Sequence, residues 1–305
     1  MATLLSRELN AIKENWDETI HMISPTKVPF TTMTKEEKTT VNKPQWVEDE
    51  LAAVDLTNRR FEGADPTENN GNDVATRSTS LQHMDETVKV SDIADIVDKV
   101  GRKAELTRRL FKKVAELKRT REAIMLSGQV AVADVNNPAM DSFQSLVHAD
   151  NRIATGSTAM PTEKNLLDTL QKLYVNGADP SVIMVTPDYS VALTEFSKAA
   201  GRYREIPNVG SGAGTAIVNA VELFVSPFGQ QKVVINRFSR AGDTFIFDPD
   251  HFTKLAMVPW KTQELAKTGR STKVQVYGTY GLKLDNSKAA AVIRNVTGTA
   301  GKFDL

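Results

Sequence analysis

Cysteine is absent from all 305 residues, which excludes disulfides and thiolate metal sites and predicts a chain made and assembled in a reducing cytoplasm. Long apolar runs are also absent. No stretch of about eighteen consecutive apolar residues occurs, so no membrane-spanning helix and no membrane partner are predicted. The opening MATLLSRELNAIKENW lacks an apolar core followed by a small-residue cleavage site, so no signal peptide is expected. Net charge is zero, with 38 basic and 38 acidic residues, which argues against a dedicated nucleic-acid binder. The hydrophobic fraction of 40% is a little low for a compact globule and fits a chain with part of its length in extended arms.

Catalytic signatures are missing as well. The four histidines (His21, His83, His148, His251) are scattered, with no HExxH or other ligand spacing. No GxxxxGK[ST] cradle and no GxSxG elbow occur. GSGAGT at 210–215 puts Thr215 where the third glycine of a dinucleotide loop belongs, so it reads as a flexible loop. The pair Asp248 and Asp250 in FDPDHF has the pattern of a turn. No catalytic site, cofactor or metal is predicted, and the chain is not expected to be an enzyme.

What is there is a change of character near residue 100. From Gln45 to Asp98, thirteen acids face four bases, for a net charge of about −9. From Arg102 to Glu122, nine bases face three acids, for about +6. Fields of opposite sign on a neutral chain can be satisfied between copies, where they orient association more than they add affinity. Two unrelated solvated faces would give the same count, and charge alone leaves both readings open.

Periodicity supplies the elements. Leu5, Leu9, Ile12, Trp16 and Ile20 recur at intervals of three and four, predicting a short helix over about Leu4–Met22 within a mobile arm of residues 1–40. The segment 41–90 reads as a long two-armed loop, with one strand suggested by Val41 and Trp46–Val47, its return at Glu86–Val90, and turn formers (GADPTENNGND) between. A basic amphipathic helix follows over about Arg102–Leu126, roughly 37 Å long, with Leu106, Leu110, Val114, Leu117, Ile124 and Met125 as its apolar stripe. Thr162 is a predicted N-cap and Asn176-Gly177 a stop for a helix lined by Leu166, Leu167, Leu170, Leu173 and Tyr174. Ser181–Val185 reads as a buried strand, and Val221–Val225, Lys232–Ile235 and Thr244–Phe247 as an antiparallel meander. From Lys273 to Leu284 strict alternation predicts a strand of roughly 40 Å, about twice the usual length, with Ala289–Val296 returning beside it.

Longer segments carry a family resemblance. PTKVPF at 25–30, PQWVEDELAAVDLTN at 44–58, FEGADPT at 61–67, DIVDKVGRKAELTRR with ELKRTREAIML, VSPFGQQKVVINRF, FIFDPDHFTKLAMVPWKTQELAKTG and YGTYGLKLDNSKAAAVI resemble, in that order, major capsid proteins of tailed bacteriophages. The resemblance implies an α+β shell fold, the one named after phage Hong Kong 97. Its parts map here as an N-terminal arm (1–40), an extended loop (41–92), a peripheral domain (93–159 and 251–305, with a spine helix at 100–127) and an axial domain (160–250). It implies a structural subunit that self-assembles, as hexamers and pentamers, into the icosahedral head around a double-stranded DNA genome, without sequence-specific contact. Implied partners are a separate scaffold protein and a portal protein, with cement proteins left open; the implied place is the virion capsid, assembled in the bacterial host cytoplasm.

Charge and position then select candidate intersubunit contacts: Trp46, Glu48, Asp49 and Arg60 on the loop, and Arg108, Arg109, Lys112 and Lys113 as acceptors on the helix. For Trp46, docking on its own subunit is an equal reading. Two rival functions stand beside the phage shell: the shell of a cellular nanocompartment with the same fold, and a cytosolic enzyme with an acidic insertion. A nucleic-acid-binding module, resting on the basic helix alone, comes third.

Overall fold

A computed structural model describes residues 26–52, 54–63, 65, 73–97, 105–155, 160–199, 222–240, 242–267 and 269–294. The predicted helix over Leu4–Met22, the 210–215 loop and the first residues of the basic helix lie outside this set. In chain order the elements are α1 (Pro29–Met33), β1 (Lys35–Lys38), β2 (Gln45–Glu48), β3 (Ala75–Ser78), β4 (Gln82–Ser91), α2 (Asp92–Ile96) and α3 (Glu105–Leu126). Then come α4 (Phe143–Leu146), β5 (Arg152–Ala154), α5 (Glu163–Val175), β6 (Val182–Val185), α6 (Pro187–Ala199), β7 (Leu223–Ser226) and β8 (Gly229–Ile235). The chain closes with β9 (Thr244–Phe247), β10 (Phe252–Leu265), β11 (Ser271–Leu284) and β12 (Ala291–Arg294).

Two sheets carry the body. The long one runs β1-β10-β11-β4, and the second runs β5-β12-β9-β6-β8-β7; a separate hairpin pairs β2 with β3. The alternating segment near the C-terminus forms a fourteen-residue strand, antiparallel to β10 on one side and to β4 on the other. Helix α3 lies on this sheet, where Leu117 joins Met84, Ala256, Val276 and Tyr280, with Leu110, Val114, Ile124 and Trp260 at the margin. Gly278 is needed here, because a Cβ on it would sit 2.7 Å from Trp260 Cε3. The predicted caps of α5 are observed: Thr162 Oγ1 accepts from Asn165 N–H at 3.3 Å, and Gly177 turns the chain at φ +79°.

Several expectations are corrected. The return strand of the loop is β3, not Glu86–Val90, which belongs to β4 and pairs with β11. Of the three predicted meander strands, β7 and β8 pair antiparallel as expected, but the third, β9, does not pair with β8. Strand β6 inserts between β8 and β9, parallel to the first and antiparallel to the second, because its four residues are all buried and fill a central place. Residues 289–296 do not return beside β11; β12 pairs with β9 and, in parallel, with β5. The second sheet therefore draws strands from outside the 160–250 interval expected for a compact lobe.

The two sheets share a core. Met125 and Leu126 of α3, Phe143 and Leu146 of α4, Val182 and Met184 of β6, Phe245 and Phe247 of β9, and Phe252, Leu282 and Leu284 of the long sheet form one buried cluster. Phe30 sits in its centre, fully buried, with its ring 5.5–5.9 Å from those of Phe143, Phe247 and Phe252. Residues 26–40 are thus no free arm: α1 plugs the core, and β1 adds in parallel to β10 at residues 253–256. Edge-to-face ring contacts of this kind contribute beyond area burial. Phe30→Ala should lower the stability of the unassembled chain by about 3–5 kcal/mol. Urea denaturation of both proteins measures the loss; a change within error would mean that the plug is dispensable.

Candidate assembly surfaces

The loop is aimed from its base. In the β2–β3 hairpin, Trp46 stands opposite Arg77 and packs, half-buried, against the subunit's own core. Glu48 Oε1 accepts from the backbone N–H of Ser287 at 3.0 Å, and Oε2 accepts from Ser287 Oγ at 2.9 Å and from Arg77 Nε at 3.2 Å. Arg77 also donates to Ser287 Oγ at 3.1 Å, and Lys288 pairs with Glu50. Ser287 as the receiving turn is not legible in the sequence, because nothing local marks a serine 239 residues away. Of the two readings of Trp46, docking on its own subunit is the one observed in the single chain.

Beyond the base the loop is open. Asp49 accepts from Glu50 N–H at 2.8 Å and is exposed; Arg60 donates to the carbonyl of Asp65 at 3.3 Å. Leu51, Val54, Leu56 and Phe61 lie in water, Leu51 and Leu56 at 93% exposure. A run of exposed apolar side chains on an acidic loop points to a partner surface rather than to a chance distribution.

On α3 the predicted acceptors are accessible, yet each is already engaged along the helix. Arg108 Nη2 and Arg109 Nε lie 3.0 and 2.7 Å from the buried carboxylate of Glu105. Lys113 Nζ is 2.8 Å from Glu116 and 3.5 Å from Glu86 on β4, while Lys112 lies 3.9 Å from Glu116. The hydrogen bond to Glu116 is the chief cause that raises the Lys113 pKa. The lysine pairs with Glu116 and Glu86 are exposed on both sides and weak, which leaves Lys112 and Lys113 able to take a further acid.

The most demanding electrostatics lie one turn from the end of α3. Glu122 is fully buried and accepts three hydrogen bonds: Phe30 N–H at 2.7 Å, Thr31 N–H at 2.8 Å and Asn236 Nδ2 at 2.7 Å. The first two donors open α1, so a carboxylate faces a helix start. Lys254 Nζ donates to the carbonyl of Thr31 at 2.6 Å and lies 3.5 Å from Glu36. Arg121 stacks over Tyr280, 4.4 Å from the ring centroid. Burial raises the Glu122 pKa against the opposing pull of its three donors, and burial likewise lowers that of Lys254. Sequence reasoning missed this site, since Glu122 reads there as one more charge on a solvated helix. Among the described residues no group of three or more metal-ligating side chains converges.

A profile described as the SU10 major capsid protein matches residues 3–297 of the chain. A curated relative, the major capsid protein of Escherichia phage Phieco32, is 26% identical over 96% of this chain and 97% of its own length. Among solved structures, the cyanophage A-1(L) capsid asymmetric unit superposes with a TM-score of 0.71 at 10% identity, covering 96% of this chain and 98% of that one. The capsid of a native GTA particle gives 0.65 at 13% identity, covering 95% and 97%. The holo-SrpI encapsulin complex from Synechococcus elongatus PCC 7942 gives 0.59 at 10% identity, covering 96% and 95%. At such identities these structures show the fold alone, the Hong Kong 97-like shell fold, and a nanocompartment shares it with the phage shells.

Because the folded Glu122 holds its proton to a higher pH than the unfolded value near 4.5, the stability it contributes is fully present below that pH. It is lost as pH rises through the folded pKa. Glu122→Gln should remove this part of the pH dependence and cost about 1–3 kcal/mol near pH 5, because one backbone donor loses its acceptor. Melting curves of both chains from pH 4 to 8 test it: the gap between them should narrow as pH rises, and a constant gap would refute the assignment.

Proposed function

The chain belongs to the SU10 major capsid protein family, and from that membership we propose how its parts share the work of a shell. It is a structural subunit of a tailed-phage capsid; its place is the virion shell and its partners are copies of itself. The observation that carries this is the end-to-end match to the family, joined to a curated relative covered over nearly its whole length. The nanocompartment reading rests on shared fold alone, so family membership decides between the two.

Assembly takes place in the bacterial host cytoplasm. The shell encloses double-stranded DNA without sequence-specific contact, consistent with a chain of zero net charge. A separate scaffold protein guides closure, one vertex holds a portal protein, and cement proteins can add outside. The six-stranded lobe acts as the axial part, meeting its equivalents around five-fold and six-fold positions. The long sheet with α3 acts as the peripheral part.

The loop of each copy crosses a neighbour's peripheral part. Trp46 and Glu48 serve this contact indirectly, by fixing the loop base to their own subunit and so setting its direction. Asp49 and Arg60, with the exposed apolar residues between them, meet the neighbour directly. The basic flank of α3 receives the acids, led by Arg109 and by Lys113 beside β4, with Arg108 and Lys112 next to them. Each exposed pair is worth little alone, and repetition over a closed shell multiplies it.

Electron microscopy of the protein co-expressed with its scaffold should show closed shells, or tubes and sheets of hexamers. A uniform small oligomer at every salt concentration would defeat the shell reading. The double charge reversal Lys112→Glu/Lys113→Glu should lower shell yield at about 0.1 M salt by roughly tenfold and weaken its salt dependence. Unchanged yield and salt response would remove the acceptor assignment while leaving the capsid identity in place.

A further inference from the structure

Phe111 is 74% exposed on α3, whose opposite face packs on the long sheet. With Ala115 it floors a groove of about 250 Å³; the rim carries Arg108, Lys112, Glu116 and Arg119, with Thr26 across from them. Positions 108, 111, 112, 115 and 119 recur at three and four along the helix, so they share its outward face. Glu116 does not reverse the sign of the rim: three cations stand against this one acid, and Lys113 holds it at 2.8 Å from outside the groove. An aromatic floor inside a charged rim is the anatomy of an anchor pocket.

The loop supplies a projection of the matching kind. The backbone N–H and the hydroxyl of Thr57 both donate to Asp55 Oδ1, at 2.8 and 2.6 Å, and close a tight turn around Leu56. Leu56 stands at the tip of that turn, 93% exposed. The Thr57 hydroxyl holds the Asp55 carboxyl below its ordinary range, so a negative charge sits directly beside the apolar side chain. One exposed leucine needs no explanation. A leucine and a carboxylate on one turn, matched by an apolar floor and a basic rim on the same molecule, form a complementary pair. The two do not meet within one chain: the loop base is tied at Ser287, and Leu56 is left in water and takes no part in lining the groove.

We propose that the groove over Phe111 receives Leu56 of a second copy of this chain, with Leu56 on Phe111 and Ala115 and its neighbour Asp55 against Lys112. The inference rests on the shell reading above and its crossing loops, and adds the apolar anchor that the charged contacts lack. Exposed ion pairs orient the loop, whereas removing one leucine and one phenylalanine from water holds it in place. Lys112 suits the acid because its own partner, Glu116, lies 3.9 Å away and is shared with Lys113. Each copy offers one projection and one groove, so the contact is heterologous and passes from copy to copy around a ring.

The lack of native cysteine makes the test free of background. Shells formed from the full chain carrying Leu56→Cys and Ala115→Cys are oxidised and run on a denaturing gel without reductant; Val135→Cys with Ala115→Cys is the control pair. The expected result is a covalent ladder of two or more copies for the first pair and monomer for the control. Intact shells that give only monomer, a link within one chain, or an equal ladder from the control overturn the proposal and leave the shell reading standing. Failure of the parent chain to form shells strikes the shell reading itself. Independently, Leu56→Ala and Phe111→Ala should each lower shell yield by about tenfold while the unassembled chains melt like the parent, and the double variant should lose no more than either. Full yield in either single variant, or losses that multiply to about a hundredfold, overturn the proposal whatever the gel shows.

Discussion

One buried carboxylate fixes the relation among three parts of the chain that are distant in sequence. Glu122 belongs to α3, its backbone donors belong to α1, and Asn236 follows β8 at the end of the six-stranded sheet. An isolated buried carboxylate would be prohibitively costly, so its three donors must be present together. That requirement makes the docking of α1 and the seating of the second sheet on the helix a single event. The aromatic cluster around Phe30 supplies the apolar burial, but burial has no direction. The hydrogen bonds to Glu122 provide the register.

The same division between anchoring and reach shapes the loop. Its base is held by Trp46, by the Glu48–Ser287–Arg77 cluster and by the pair Glu50–Lys288, all within one subunit. Its remaining length presents apolar and acidic side chains to solvent. A rigid base with an open span is the arrangement that the proposed contact with a neighbour's peripheral part calls for, since it fixes the aim and leaves the far end able to adapt.

Legibility in the sequence followed the range of the interactions involved. The amphipathic face of α3, the Thr162 cap and the alternation of β11 are local patterns, and each is where periodicity placed it. Strand β10 escaped notice although it is as long as β11. Two register shifts between Ala256 and Lys261, with Pro259 among them, break its alternation. Strand order in the second sheet was also out of reach, because β6 enters between β8 and β9 through pairings that no local signal encodes. Of the candidate contacts, the helix bases were legible as charge. The inward role of Trp46 and Glu48 was not, since it depends on a turn at Ser287 some 240 residues away.

The irregularity of β10 bears on order at high concentration. Strand β1 covers only residues 253–256 of its outer side, and from Val258 to Leu265, where β11 pairs with the inner side, no strand among the described residues pairs with the outer side. A straight, bare edge of that length would invite any other copy to zip onto it and grow a fibre. Proline at 259 removes a donor, the two bulges bend the strand, and Lys261 and Glu264 charge it. The kink that hides this strand from pattern reading therefore also quarantines it, so that copies crowded together meet through their programmed faces instead of polymerising edge to edge.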